Sequence, residues 1–175
     1  LVGHELQVYF DDSFVGNTTT SDSGIFSYDL FLERETELGP HKVKVIFEGS
    51  ELYTESSEEV SSDVQAATIF QVEDIEALRL HEFFISAYLV DDLDNPMANQ
   101  AVNMTFGNTK YPLVTDSTGF VQKNMTLSAS RNLGIYTIFW DYNGYDYYLP
   151  ATQEQTLMVV ASTSISIESD PDVLV

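Results

Sequence analysis

Apolar residues along this chain recur at every second position. Leu6, Val8 and Phe10 alternate with Gln7 and Tyr9, and Val43, Val45 and Phe47 alternate with Lys42, Lys44 and Ile46. Period two is the repeat of an extended strand, whose successive side chains leave on opposite faces, so each run predicts a strand with one buried face. The pattern returns at Val102, Met104 and Phe106, matching the first run, and at Ile135, Thr137 and Phe139, matching the second. Between the runs stand residues that reverse a chain: Asp11-Asp12-Ser13, Ser21-Asp22-Ser23-Gly24, Glu48-Gly49-Ser50, Asp94-Asn95-Pro96, Asp116-Ser117-Thr118-Gly119 and Tyr142-Asn143-Gly144. Gly, Asn and Asp supply the φ values and local hydrogen bonds that turns require. Short strands with regular turns predict an all-β sandwich. One segment, Ile75 to Val90, is apolar enough to be a helix. Its concentration of Phe, Ile, Tyr and Val, stopped by Asp91-Asp92, favours a buried strand from Glu82 to Asp91, with helix as the alternative.

The pattern also repeats over a longer distance. Gly24, Gly39, Gly49 and Tyr53 reappear as Gly119, Gly134, Gly144 and Tyr148, every pair 95 residues apart. The same offset carries Thr20 to Thr115, Leu38 to Leu133, and Thr68, Phe70, Val72 and Glu73 to Thr163, Ile165, Ile167 and Glu168. A unit of about 95 residues is an ordinary domain size. The expected organisation is a first module over residues 1–66 without its opening strands, a second over 67–161, and an opening or donor strand within 162–175. Such a first module would leave a sheet edge and a core face uncovered, a state natural proteins avoid. The segment Thr163, Ile165 and Ile167, with both isoleucines on one face, is the expected assembly strand. It would complete the first module of a neighbour, either in a continuous tandem array or between subunits, and such head-to-tail contact generates fibres.

The order of motifs resembles a known family. A strand from Glu82 to Val90 is followed by Asp91-Asp92-Leu93-Asp94-Asn95-Pro96-Met97, then Ala101 to Phe106, Val114-Thr115-Asp116-Ser117-Thr118-Gly119-Phe120 and Leu133-Gly134-Ile135-Tyr136. The first copy repeats the later half as Thr20-Ser21-Asp22-Ser23-Gly24-Ile25-Phe26 and Leu38-Gly39-Pro40-His41. This progression resembles the tandem bacterial and archaeal immunoglobulin-like (Big-type) repeats of cell-surface, adhesin and filament proteins. The resemblance implies two tandem immunoglobulin-like antiparallel β-sandwiches and a non-catalytic role as a stalk, filament or adhesin module. Its motifs are turn and core residues, which specify a fold better than a function.

Charge narrows the partners. Against 28 acidic residues stand 7 Lys and Arg, a formal net charge of −21. So acidic a chain has no clustered cations to meet phosphates, which sets nucleic acid and anionic lipid surfaces aside as partners. It suits a solvated, self-repelling surface in a soluble extracellular or high-salt environment, and the expected location is extracellular, at the cell surface. Cysteine is absent, so neither disulfides nor thiolate metal sites are available. No run approaches the roughly 20 apolar residues of a membrane span.

Four groups of residues are candidates for chemistry. Asn17, Asn103 and Asn124 each begin an Asn-x-Thr sequon and are candidate glycosylation sites if the chain is secreted. Asp91, Asp92 and Asp94, with Asn95, crowd one turn and could offer oxygens to calcium, as could Asp170 and Asp172; the plainer reading is that such side chains bond their own backbone. Trp140, Tyr142 and Tyr145, beside Tyr147 and Tyr148, could present rings to carbohydrate or a protein partner, which makes a non-catalytic adhesin the alternative function. No catalytic residues are expected. His4, His41 and His81 are scattered, and no nucleophile elbow, phosphate loop or zinc-binding helix motif occurs.

Overall fold

The structure, a computed structural model, describes residues 2–167. Glu168, Asp170, Asp172 and the rest of the expected 162–175 segment beyond Ile167 lie outside the described residues. The described residues contain twelve strands and no helix: β1 (Glu5–Phe10), β2 (Ser13–Thr19), β3 (Gly39–Phe47), β4 (Ser56–Val64), β5 (Thr68–Gln71), β6 (Ile75–Leu78), β7 (Glu82–Asp91), β8 (Ala101–Phe106), β9 (Thr109–Val114), β10 (Phe120–Thr126), β11 (Gly134–Tyr142) and β12 (Ala151–Val160). They divide into two units. The first takes Leu1–Ala67 together with Gly144–Leu149, and the second takes Thr68–Asn143 and Pro150–Val175.

The second unit is an immunoglobulin-like β-sandwich. Its smaller sheet has the order β10-β7-β5, and its larger sheet the order β6-β12-β11-β8-β9. All pairings are antiparallel except β6 on β12, which is parallel. The run β12-β11-β8-β9 is the G-F-C-C′ order of immunoglobulin variable-type sheets. Between the sheets, Phe70, Ile85 and Leu89 from the smaller one and Val102, Met104, Ile138, Trp140 and Leu157 from the larger one are buried. Phe70 and Trp140 meet across the interior with ring centroids 5.9 Å apart. Burial of such side chains contributes about 1.5–3 kcal/mol each, which is what holds the sandwich closed.

The first unit is one sheet, in the order β2-β1-β3-β4, antiparallel throughout. Strand by strand it reproduces the larger sheet of the second unit: β1 and β2 stand where β8 and β9 do, and β3 and β4 where β11 and β12 do. The counterpart of β10 is residues 25–31, which form no strand. The reason is the absence of a partner. In the second unit β10 makes its ladder with β7, and no described strand of the first unit occupies that position. An extended segment without a neighbour leaves its backbone groups to solvent or to local bonds.

The repeat extends to individual hydrogen bonds. Thr20 N donates to His4 O at 3.0 Å and Gly3 N to Thr20 O at 2.9 Å; Thr115 N donates to Gln100 O and Asn99 N to Thr115 O, both at 3.0 Å. After the threonine, Ser21 N donates to Ile25 O and Gly24 N to Ser21 O, as Asp116 N does to Phe120 O and Gly119 N to Asp116 O. The paired positions lie 96 residues apart before the threonine and 95 after it. A β-bulge accounts for the change: Val8 pairs with Gly16 and Tyr9 with Phe14, which leaves Val15 extra, whereas β8 and β9 pair without interruption.

Three expectations need correction. The segment Glu82–Asp91 is a strand, so the helix alternative falls, but up to Leu89 only one of its faces is buried: Phe83, Ile85, Ala87 and Leu89 point inward while Phe84 and Tyr88 are exposed, and Val90 at the end is buried as well. The inward run of β11 is Ile138, Trp140 and Tyr142, and Ile135 and Phe139 are exposed. A one-residue slip in register moves a strand's whole apolar set to the opposite face. Ile75–Leu78, finally, is a separate short strand on the edge of the larger sheet.

Candidate functional site

The feature with the strongest claim to function is the face of the first unit's sheet. Leu6 and Val8 on β1, Val43, Val45 and Phe47 on β3 and Val60 on β4 alternate onto one side of that sheet. Leu6, Val8 and Phe47 are buried, Val43 and Val45 are half-buried, and Val60 is 59 % exposed. At the matching positions of the second unit stand Val102, Met104, Ile138, Trp140, Tyr142 and Gln155, every one of them buried. Phe26, from the 25–31 segment, lies at the rim of a cavity of ≈ 540 Å³ over these valines. Glu58 is the one ionisable residue that lines it. Ser56 and Ser57 beside Glu58 give it one polar side, and the rest of the wall is apolar and can seat apolar side chains.

The 25–31 segment is anchored without being paired as a strand. Tyr28 Oη donates to the carbonyl of the bulged Val15 at 2.5 Å, and Thr18 Oγ1 donates to Ser27 O at 2.7 Å. Gly16, at φ +153°, leaves room for that ring: a Cβ there would lie 2.5 Å from the Tyr28 hydroxyl. The bulge, the glycine and the tyrosine thus act together to hold the segment beside β2.

Elsewhere in the first unit, Asp11 and Asp12 both have positive φ in the β1–β2 turn, as a type I′ hairpin requires. Asp11 Oδ2 lies 2.5 Å from His41 Nδ1, and the Glu37 carbonyl lies 2.7 Å from His41 Nε2. With an acceptor on each ring nitrogen the doubly protonated imidazolium is favoured, so the pKa of His41 is raised, first by Asp11 and then by the Glu37 carbonyl. That of Asp11 is lowered, first by the Lys42 backbone N–H and then by His41. The ring stacks on Phe10. This is a clasp between a turn and a strand.

The aromatic cluster is not a surface feature. Trp140 is 1 % exposed and Tyr142 3 %, both inside the second unit; only Tyr145, at 70 %, meets solvent freely. Trp140 Nε1 donates to Gln155 Oε1 at 2.9 Å, and Gln155 Nε2 donates to Glu73 O at 2.6 Å and Ser86 O at 3.3 Å. A ring so enclosed and bonded has no face to offer a sugar. Tyr145 belongs, with Tyr147 and Tyr148, to the first unit. The aromatics exposed on the second unit include Phe84, Phe139 and Tyr88, the last 4.9 Å from the Phe120 ring. Their signal in the sequence was the alternation of β7, which gives apolar residues to both faces.

Asp91 is likewise structural. Its Oδ1 accepts from Leu93 N and Asn95 N at 2.9 and 2.8 Å, and its Oδ2 from Asn95 Nδ2 at 3.0 Å. Asp92 is exposed, and Asp94, at φ 63°, accepts a long bond from Gln71. Among the described residues no group of three or more His, Asp or Glu is arranged to hold a metal ion. Asn17 and Asn124 are exposed, whereas Asn103 is half-buried and donates to Asp141 at 2.8 Å. Asn17 Nδ2 bonds Glu5. Thr163, Ile165 and Ile167 are in no strand, and both isoleucines are exposed.

No protein-family model matches the sequence, and no curated protein does. Several solved structures align with most of the chain at low similarity. Fibronectin(III)-like modules of Clostridium thermocellum CbhA align over 97 % of this chain and 84 % of theirs, at 10 % identity and a TM-score of 0.38. The S-layer protein rSbsC(31-844) aligns over 95 % of this chain and 21 % of its own, at 13 % identity and a TM-score of 0.40. The titin immunoglobulin tandem A164-A165 aligns over 92 % and 91 %, at 10 % identity and a TM-score of 0.38. At such scores the assignment of an immunoglobulin-like sandwich rests on the strand order of the second unit itself.

Proposed function

We propose that this chain is a non-catalytic structural module of an extracellular surface stalk or filament, in which one repeat completes another. The observation that carries this reading is the contrast between two copies of one design. The strands, turns and hydrogen bonds of the larger sheet recur in both, yet the apolar face that is wholly buried in the second unit is only partly covered in the first, where Val43 and Val45 are half-buried and Val60 is exposed. An open face of this kind is stabilised by association, because apolar surface removed from water contributes about 25 cal/mol per Å². The Thr163–Ile167 segment repeats the β5 pattern and has exposed isoleucines, which supports its role as a strand brought to a neighbouring repeat. Such a contact joins two different surfaces and therefore propagates in one direction rather than closing on itself. The acidic surface, with its net charge of −21, keeps such units apart except where apolar faces meet.

Electron microscopy of the purified chain, with sedimentation over a range of concentrations, tests this function. Elongated, concentration-dependent assemblies are expected. Single particles of one chain's mass at every concentration would contradict the assembly reading.

A further inference from the structure

We infer that the outer face of the smaller sheet of the second unit, β10-β7-β5, is a binding site for a neutral saccharide chain, seated on the rings of Tyr88, Phe120 and Phe84 and held by the amides and hydroxyl between them. This inference is independent of how repeats join. It moves the saccharide expected at the Trp140 cluster to rings that solvent reaches.

Register builds the face row by row. β7 and β10 pair Tyr88 with Phe120, Ser86 with Gln122 and Phe84 with Asn124. These are alternate positions, so their side chains leave on one side, away from Ile85, Ala87 and Val121, which are buried between the sheets. The rows therefore read aromatic, polar, aromatic, with Phe84 and Tyr88 about 13 Å apart along the strand. Phe84 is 55 % and Tyr88 46 % exposed, and Gln122 and Asn124 hold their amides in solvent. Tyr88 and Phe120, with ring centroids 4.9 Å apart, support each other across the strands. Phe84 stands opposite an asparagine, so pairing of that kind does not account for its exposure. Beside the Tyr88 row is a hollow of ≈ 550 Å³, in which Gln71, Glu73 and Ser86 join the two rings. The ladder of β5 on β7 ends at Gln71↔Tyr88 and the chain then crosses to β6 in the larger sheet, which opens that side of β7 at Ser86.

The chemistry of the face selects the ligand. A pyranose has C–H groups on its faces and hydroxyls around its rim, so it is recognised by aromatic rings flanked by amides and hydroxyls. Both kinds of group stand here, spread along the strands for a chain of sugar rings rather than a single one. Charge separates this ligand from others. The protein has 28 acidic residues against 7 Lys and Arg, yet none of the side chains in the three rows from Tyr88 to Phe84 is an acid or a base of that kind, and the nearest carboxylate is that of Glu73 in the hollow. A basic protein partner would find its complement on the acidic remainder of the surface, and an anionic saccharide would be repelled by it. A neutral saccharide is indifferent to that field and depends on the rings and amides alone.

The test uses the whole chain, made in a host that adds no N-glycans so that Asn124 stays bare, titrated with cellohexaose, mannohexaose and chitohexaose. At least one of these should bind and shift the backbone amide resonances of residues 84–88 and 120–124. Tyr88→Ala and Phe84→Ala, at outward positions that leave the core intact, should each weaken binding by about tenfold. Phe139→Ala, which removes an exposed ring from the larger sheet, should leave binding unchanged. Where a variant fails to fold, the shifts on the unaltered chain decide. Absence of binding by all three sugars would overturn the inference. So would binding that both variants retain, or equally tight binding of polygalacturonate, since these place the sugar elsewhere or make its charge irrelevant. Shifts of the same amides on concentrating the chain without sugar would assign the face to a second copy and overturn it as well.

Discussion

Gln155 shows how much one side chain carries in the complete unit. Its amide satisfies the Trp140 indole N–H and two backbone carbonyls, Glu73 O and Ser86 O, one of them on a strand of the opposite sheet. Gln155→Leu keeps the volume and removes every one of these bonds. Buried polar atoms left without partners cost about 1–3 kcal/mol each, so the variant should lose about 2–4 kcal/mol in denaturant unfolding of the second unit. His41 and Asp11 make a second prediction at this scale. The pKa of His41 is raised above its ordinary 6.5, so its contribution to stability is complete below that value and is lost as pH rises through the raised pKa. The pKa of Asp11 is lowered below its ordinary 3.8, so its contribution is complete above that value and is lost as pH falls through the lowered one. Stability of the first unit should therefore decline as pH rises above 6.5 and through the raised pKa of His41, and His41→Phe should flatten that decline. Equal slopes for both proteins would contradict the assignment.

At the scale of elements, the strands were legible because alternation is a local signal. Leu6/Val8 and Val102/Met104 gave the facing of β1 and β8 directly, and the Thr-x-x-x-Gly turns gave their spacing. The face of β11 was not legible in the same way. Ile135, Thr137 and Phe139 alternate as well as Ile138, Trp140 and Tyr142 do, and only pairing with β8 and β12 selects the second set. The 25–31 segment shows the opposite limit: its sequence alternates as a strand should, yet a strand is a relation between two segments, and this one has no partner among the described residues. The bulge at Val15 was visible only as a change of offset, which the Gly-to-Gly matches on one side of it could not reveal. The difference between faces has an energetic consequence. Val60→Asp, on the open face, should change stability by less than about 0.5 kcal/mol, as at ordinary surface positions. Ile138→Asp, on the closed face of the second unit at the position matching Val43, places a charge where no water reaches and should prevent that unit from folding. Circular dichroism melts of the two variants distinguish these outcomes, and comparable losses would mean that the first unit's face is covered after all.

For the whole molecule, the two units are the same architecture in two states of completion. The second has two sheets with aromatic and aliphatic side chains between them, while the first has one sheet and a crossing segment tethered by Tyr28. Of the candidate residues suggested by composition, Asp91 bonds its own turn and Trp140 and Tyr142 pack inward, while Tyr145 stays exposed. Function on this account lies in surface left uncovered, which motif searches are not built to detect. The most direct measurement is amide hydrogen exchange of the dilute chain alone, residue by residue, comparing residues 25–31 with their counterparts 120–126. The account predicts exchange close to that of an unstructured chain for the first set and protection approaching global stability for the second. Equal protection of the two would contradict it, because residues 25–31 would then be paired as fully as residues 120–126 are.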